Sequence, residues 1–113
     1  MEQVPTKLLR IYTDESAYVG DRRLIEHVAA LAQEQHLAGV TVLEAMLGFG
    51  HSAHMHRRQI FENKRSVVIE IVDADDKLRS FAAGLSDISD IGLITIEAVE
   101  VIGGGTRGVH PRD

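Results

Sequence analysis

This sequence predicts an α+β domain, a four-stranded antiparallel sheet with two helices on one face, on three observations. Short apolar stretches alternate with longer amphipathic ones in the order strand, helix, strand, strand, helix, strand. The long stretches place apolar residues at helical spacing, and the short ones carry the period of two expected of a strand. The 113 residues, 44% hydrophobic and 26% charged, suffice for one core and leave no room for a second.

The first strand is read from Lys7 to Thr13, with Leu9 and Ile11 on one side and Leu8, Arg10 and Tyr12 on the other; the polar stretch Asp14 to Gly20 ends it. A helix follows from Asp21, the expected cap, through Leu24, Ile25, Val28, Leu31 and Ala32, with Gly39 as its stop. Val40 to Leu47 form the second strand and Ser66 to Val72 the third, where Val67, Ile69 and Ile71 alternate with Val68, Glu70 and Val72. Asp73, Asp75 and Asp76 then open a second helix, complementing the positive end of its dipole, and Leu78, Phe81, Ala82 and Leu85 supply its buried stripe. Gly92 precedes the last strand, Leu93 to Ile102.

Each half is strand-helix-strand, so residues 7–102 form the double split βαβ of the ferredoxin-like fold, and residues 103–113 form a flexible glycine-rich tail. Two helices cover only one face of such a sheet. Val68, Val72, Val99 and Val101 alternate onto the other, which predicts a self-association surface and a symmetric homo-oligomer. Ordinary half-buried valines near sheet edges are the competing reading.

Composition narrows the function classes. A net charge of −5 argues against general nucleic-acid or anionic-membrane binding, the absence of cysteine removes disulfide and thiolate chemistry, and no apolar run is long enough to span a bilayer. A soluble, cytoplasmic protein is expected. Ser16, Ser52 and Ser66 lack a nucleophile context, and Glu44, Glu70 and Glu97 sit in strands where packing or ion pairing suits them, so no enzyme is expected. The fifteen residues after Gly50 form a long, mostly polar loop, and loops of that length in small domains are usually functional or disordered. His51, His54 and His56 could converge there on a metal, although histidines in a solvent loop need none; His27 and His36 read as helix-surface residues. Met55, Arg57, Arg58, Lys64 and Arg65 continue the loop as a basic run that could meet a phosphate or an acidic partner.

Thr41-Val42-Leu43-Glu44 running into Gly48-Phe49-Gly50, then a long polar loop, then Val68-Ile69-Glu70-Ile71-Val72-Asp73 with Asp75 and Asp76, resembles the PII signal-transduction superfamily. More closely, the span from Lys7 to Ile102, with Leu37-Ala38-Gly39-Val40-Thr41-Val42 and the closing Glu100-Val101-Ile102, resembles its uncharacterised PII-like family. The resemblance implies a homotrimer with ligand clefts between subunits, in which an adenine nucleotide binds at the base of a mobile loop. That loop, residues 51–65 here, docks on a protein target such as a membrane transporter.

Carried over by position, Gly48, Phe49 and Gly50 form the loop base, where backbone N–H groups can approach an anion because glycine lacks Cβ; a plain hinge or bulge is the alternative. Thr41 corresponds to a hydroxyl facing the cleft, and Ile69, Glu70 and Ile71 to the strand whose backbone meets an adenine edge, although threonine and isoleucine also suit a strand that binds nothing. Two departures stand out. His51, Ser52, Ala53 and His54 replace the family's basic and glutamine-lysine residues after the hinge, and Asp90-Ile91-Gly92-Leu93 replaces its Gly-Asp-Gly-Lys phosphate loop. Of the closing arginine pair only Arg107 has a match, so a ligand smaller than a triphosphate is expected, with Arg57, Arg58 or Arg107 as its cation. A metal-responsive trimer of the copper-tolerance type, using His51, His54 and His56, and a ligand-free interaction scaffold are the competing functions.

Overall fold

Alternation along the first strand decides which way the sheet faces. The computed structural model describes residues 5–45, 66–88 and 91–104. Its elements are β1 (Thr6–Asp14), β2 (Tyr18–Val19), β3 (Arg22–Arg23), α1 (Leu24–Glu34), β4 (Thr41–Glu44), β5 (Ser66–Ala74), α2 (Asp75–Ala83) and β6 (Leu93–Ala98). β4, β5, β1 and β6 form one antiparallel sheet in that order, and β2 with β3 form a separate two-stranded hairpin.

On one face Leu9 stands opposite Ile71 and Ile96, and Ile11 opposite Ile69 and Ile94. Both helices lie on this face. Leu24, Val28 and Ala32 of α1 and Leu78 and Phe81 of α2 join Leu9, Ile11, Ile69 and Ile71 in one buried cluster that Leu85 and Ile91 extend. Burial of this kind contributes roughly 1.5–3 kcal/mol for each large apolar side chain, which is what holds short helices that would be marginal alone.

Several element ends differ from the sequence reading, each for a local reason. Helix α1 begins after Arg23, not Asp21, and no side chain caps it. Between Asp14 and Gly20 the chain does not simply end a strand. The Asp14 carboxylate accepts from the Ser16 N–H and hydroxyl at 2.8 and 2.6 Å, and Gly20, at φ +66°, turns β2 back onto β3 with the positive φ that the first position of a II′ turn requires.

The stop of α1 is His36 rather than Gly39. With φ +60°, His36 occupies the left-handed position, the Leu37 N–H reaches the Ala32 carbonyl at 2.9 Å, and the His36 N–H reaches that of Gln33 at 3.1 Å, a Schellman pattern. Lys77 Nζ donates to the His36 carbonyl at 3.0 Å, so α2 secures the end of α1. Strand β4 spans Thr41–Glu44 rather than 40–47, with residues 46–65 outside the described residues, and β6 ends at Ala98 rather than Ile102. Beyond Ala98 the Val99 N–H still reaches the Thr6 carbonyl, but β1 has no earlier strand residue left to pair with. Of the expected tail, residues 105–113 also lie outside the described residues.

Asp73 does not open α2 as expected. It belongs to β5, is 4% exposed, and its carboxylate accepts the N–H groups of Ala38 and Ala74 at 2.8 and 2.7 Å, tying the α1–β4 connection to the start of α2. Asp75 takes the first helical position and binds Lys7 of β1 at 3.2 Å and Arg79, one turn on, at 3.0 Å. Partial desolvation pushes the Asp75 carboxyl up, but the hydrogen bonds from Arg79 and Lys7 outweigh it and hold the group below its ordinary value.

Two outcomes follow from these ends. His36→Gly, which removes the Cβ cost of a left-handed residue while keeping the carbonyl for Lys77, raises stability by about 0.5–1 kcal/mol in a urea titration; an unchanged or lower midpoint contradicts the capping role. Because the folded-state pKa of Asp75 is depressed, its contribution is present above the unfolded value near about 3.9 and is lost as pH falls through the lower folded value. Asp75→Asn therefore gives a shallower fall of the urea midpoint below about pH 4 than the parent chain, and parallel pH profiles would exclude this linkage.

Candidate functional site

The face away from the helices is built in rows across the sheet, because paired residues on neighbouring strands project together. Nearest the sheet end where β4 stops and β5 starts, Leu43, Val68, Tyr12 and Leu93 lie side by side. Leu43, Tyr12 and Leu93 are 46%, 40% and 51% exposed, large fractions for apolar side chains standing together. The next row is polar: Thr41, Glu70, Arg10 and Thr95. Val72, Leu8 and Glu97 form a third.

Arg10 organises the polar centre. Its Nε donates to Glu70 Oε2 at 3.0 Å and its Nη1 to Glu97 Oε1 at 3.2 Å. The hydrogen bond to Glu70 raises the Arg10 pKa further, against a smaller lowering from desolvation, so the guanidinium stays charged at every working pH. One cation thus serves two carboxylates on an otherwise uncovered face.

The residues singled out in the sequence fall into three places. Thr41 and Glu70 are paired across β4 and β5 on the open face. Ile69 and Ile71 point the other way, into the core, at 0% and 1% exposure. The Ile69 backbone lies between β4 and β1, opposite Val42 and Ile11, whereas Ile71 pairs with Leu9 alone because β4 begins opposite Glu70. Gly48, Phe49, Gly50, His51, His54, His56 and Arg107 lie outside the described residues. Among the described residues no group of His, Cys, Asp or Glu could hold a metal ion, and no helix is long and apolar enough to cross a membrane. His36 is a helix-terminating residue rather than one on a helix surface.

Of the valines expected on the open face, Val68 and Val72 stand on it in β5, with Val72 41% exposed; Val99 and Val101 lie beyond the end of β6. Sequence reading missed the Arg10 cluster, whose signal is visible only once the register brings Glu70 and Glu97 to either side of β1.

A four-stranded antiparallel sheet with both helices on one face and an open second face defines a ferredoxin-like domain. The structure of CPII bound to ADP, AMP and acetate, from Thiomonas intermedia K12, matches 96% of this chain and 97% of its own with a TM-score of 0.66 at 16% identity, a likeness of fold. The family model described as "DUF190: Uncharacterized ACR, COG1993" matches residues 6–101. A UPF0166 protein of Aquifex aeolicus (strain VF5) is 35% identical over 104 residues, covering 90% of this chain and 98% of the relative. The chain belongs to this uncharacterised family, DUF190 or UPF0166.

The unequal exposure of the two glutamates ranks their value. Glu70 is 28% exposed at its side chain and Glu97 55%, so solvent screens the second pair more. In double-mutant cycles built on Arg10→Leu, coupling to Glu70→Leu exceeds coupling to Glu97→Leu; the reverse order contradicts the assignment of Glu70 as the main partner.

Proposed function

We propose that this chain is a PII-like regulatory protein without catalytic activity: a homotrimer that binds a small anionic ligand, an adenine nucleotide, in clefts between subunits and controls a protein target through residues 51–65. One observation carries the reading. The apolar row of exposed Leu43, Tyr12 and Leu93 with half-buried Val68 lies at the sheet end where β4 leaves toward residue 46 and β5 returns. A copy of the chain covering that row would stand beside the start of the 46–65 connection, so assembly and signalling segment would share a border. The ADP and AMP in the CPII structure support an adenine nucleotide as the ligand class, and family membership supports a regulatory role.

Energetically the ligand acts by population shift, through its different affinity for two arrangements of the connection. A nucleotide that prefers the native assembly also raises its melting temperature, by an amount equivalent to about 2.7 kcal/mol at a hundredfold excess over Kd.

The test joins light scattering with calorimetric titration of ADP and AMP. The parent chain is expected to run as a trimer and bind at least one of the two, Tyr12→Asp to run as a folded monomer, and Thr41→Val to weaken binding by about fivefold to tenfold through loss of one hydroxyl contact. A monomeric parent chain, or one whose melting temperature neither nucleotide moves, overturns the reading.

A further inference from the structure

The cations of the described structure divide into two groups. Lys7 and Arg79 bind Asp75, Arg10 binds Glu70 and Glu97, and Lys77 donates to the His36 carbonyl. Among the described residues that leaves Arg22 and Arg23, consecutive, exposed and without an ion pair, although Asp21 and Glu26 are close in sequence. In a chain of net charge −5, two adjacent uncommitted guanidinium groups are out of pattern.

Both arginines form β3 of the hairpin, where Arg23 stands directly opposite Tyr18 and Arg22 opposite Val19. Tyr18 is 56% exposed, the more exposed of the two tyrosines. Cross-strand pairing puts Tyr18 and Arg23 on the same face of the hairpin. Val19 packs against the core, which anchors the opposite face. The hairpin is also fastened at both ends: Ser16 binds the Asp14 carboxylate, and the Leu24 N–H donates to the Ala17 carbonyl at 2.8 Å. Tyr18 and Arg23 are therefore presented together on one face of a backbone already fixed before any partner arrives, with exposed Arg22 beside Val19 on the other side, and the fixed backbone reduces the ordering cost of binding.

We infer that the β2–β3 hairpin is a docking surface for an acidic segment of a partner protein, with Tyr18 as the packed anchor, Arg23 beside it pairing to a carboxylate, and Arg22 adding charge from the hairpin's other side. Tyrosine and arginine are the residue types that dominate protein-protein hot spots, and the guanidinium fork matches a carboxylate in two-point geometry. A projecting hairpin lacks the concavity that small-ligand sites use; the polar groove lined by Gln35, Leu37, Asp76, Lys77 and Ser80 lies elsewhere, where α1 ends and α2 begins. The inference adds the chemistry of the partner to the regulatory reading and rests on that reading for the existence of a protein target.

Fluorescence anisotropy with a labelled oligoglutamate peptide tests it, with oligoserine of equal length as control and ADP titrated separately into each variant. The parent chain binds oligoglutamate and not oligoserine, and the affinity falls between about 20 and about 200 mM salt. The double variant Arg22→Ala with Arg23→Ala weakens peptide binding at least about tenfold, and Tyr18→Ala weakens it as well. Arg79→Ala, which removes one exposed positive charge already engaged by Asp75, leaves peptide affinity unchanged. No peptide binding by the parent, retention of affinity in the double arginine variant, an equal loss with Arg79→Ala, or full competition by ADP overturns the docking surface. ADP affinity measured directly reports on the nucleotide reading, so a failure of either is seen independently of the other.

Discussion

β1 and β5 are in register over nine residues each, and the rest of the molecule depends on that pairing. It places Leu9 with Ile71 and Ile11 with Ile69 under the helices, and in the same step puts Tyr12 with Val68 and Arg10 with Glu70 on the open face. A slip of one residue would turn one strand over relative to the other, exposing two of these four core side chains and burying one member of the charge pair away from its partner. Burial of the core and composition of the functional face are thus one choice, made by the alternation of two strands distant in sequence.

That choice has an electrostatic consequence. Arg10 stands in the centre of the sheet with Glu70 on one side and Glu97 on the other, so a cation and two anions stand on the open face beside the apolar row of Leu43, Val68, Tyr12 and Leu93. Such a cluster contributes little to stability while solvated, because water screens it. If a second copy covers the face, the same groups must stay hydrogen-bonded, since an unpaired charge in a dry interface is costly. The cluster then disfavours any packing that breaks it, and Leu43, Tyr12 and Leu93 supply the attraction while Arg10 restricts the geometry.

What was legible in the sequence were the features whose signal is periodic. The order of strands and helices, the inward set of Leu9, Ile11, Ile69 and Ile71, and the stripe of Leu78, Phe81 and Leu85 follow from spacing alone, because burial imposes it. The ends were less legible. Gly39 has the right chemistry to stop a helix, yet His36 takes the left-handed position, because Leu37 reaching back to Ala32 and Lys77 reaching the His36 carbonyl offset the cost of its Cβ. Asp73 looked like a dipole-compensating acid among its neighbours; only the fold shows Ala38 arriving beside it. The β2–β3 hairpin leaves almost no periodic trace, since each strand has two residues.

The same distinction governs the candidate site. Thr41 and Glu70, named from the resemblance, stand paired on the open face, whereas Ile69 and Ile71 fit the motif as residues and serve the core as side chains. Any contact they make with a ligand is consequently one of backbone, and the backbone of Ile69 is flanked by strands on both sides while that of Ile71 is flanked only by β1. Beyond Glu70 that side of β5 is bordered by the α1–β4 connection, whose Ala38 N–H reaches the Asp73 carboxylate, at the end farthest from the 46–65 connection, while the exposed apolar row lies at the near end. A ligand that reads strand backbone and also biases that connection cannot do both on one sheet at one place. In the proposed binding mode a neighbouring subunit supplies the second contact, which ties that mode to assembly.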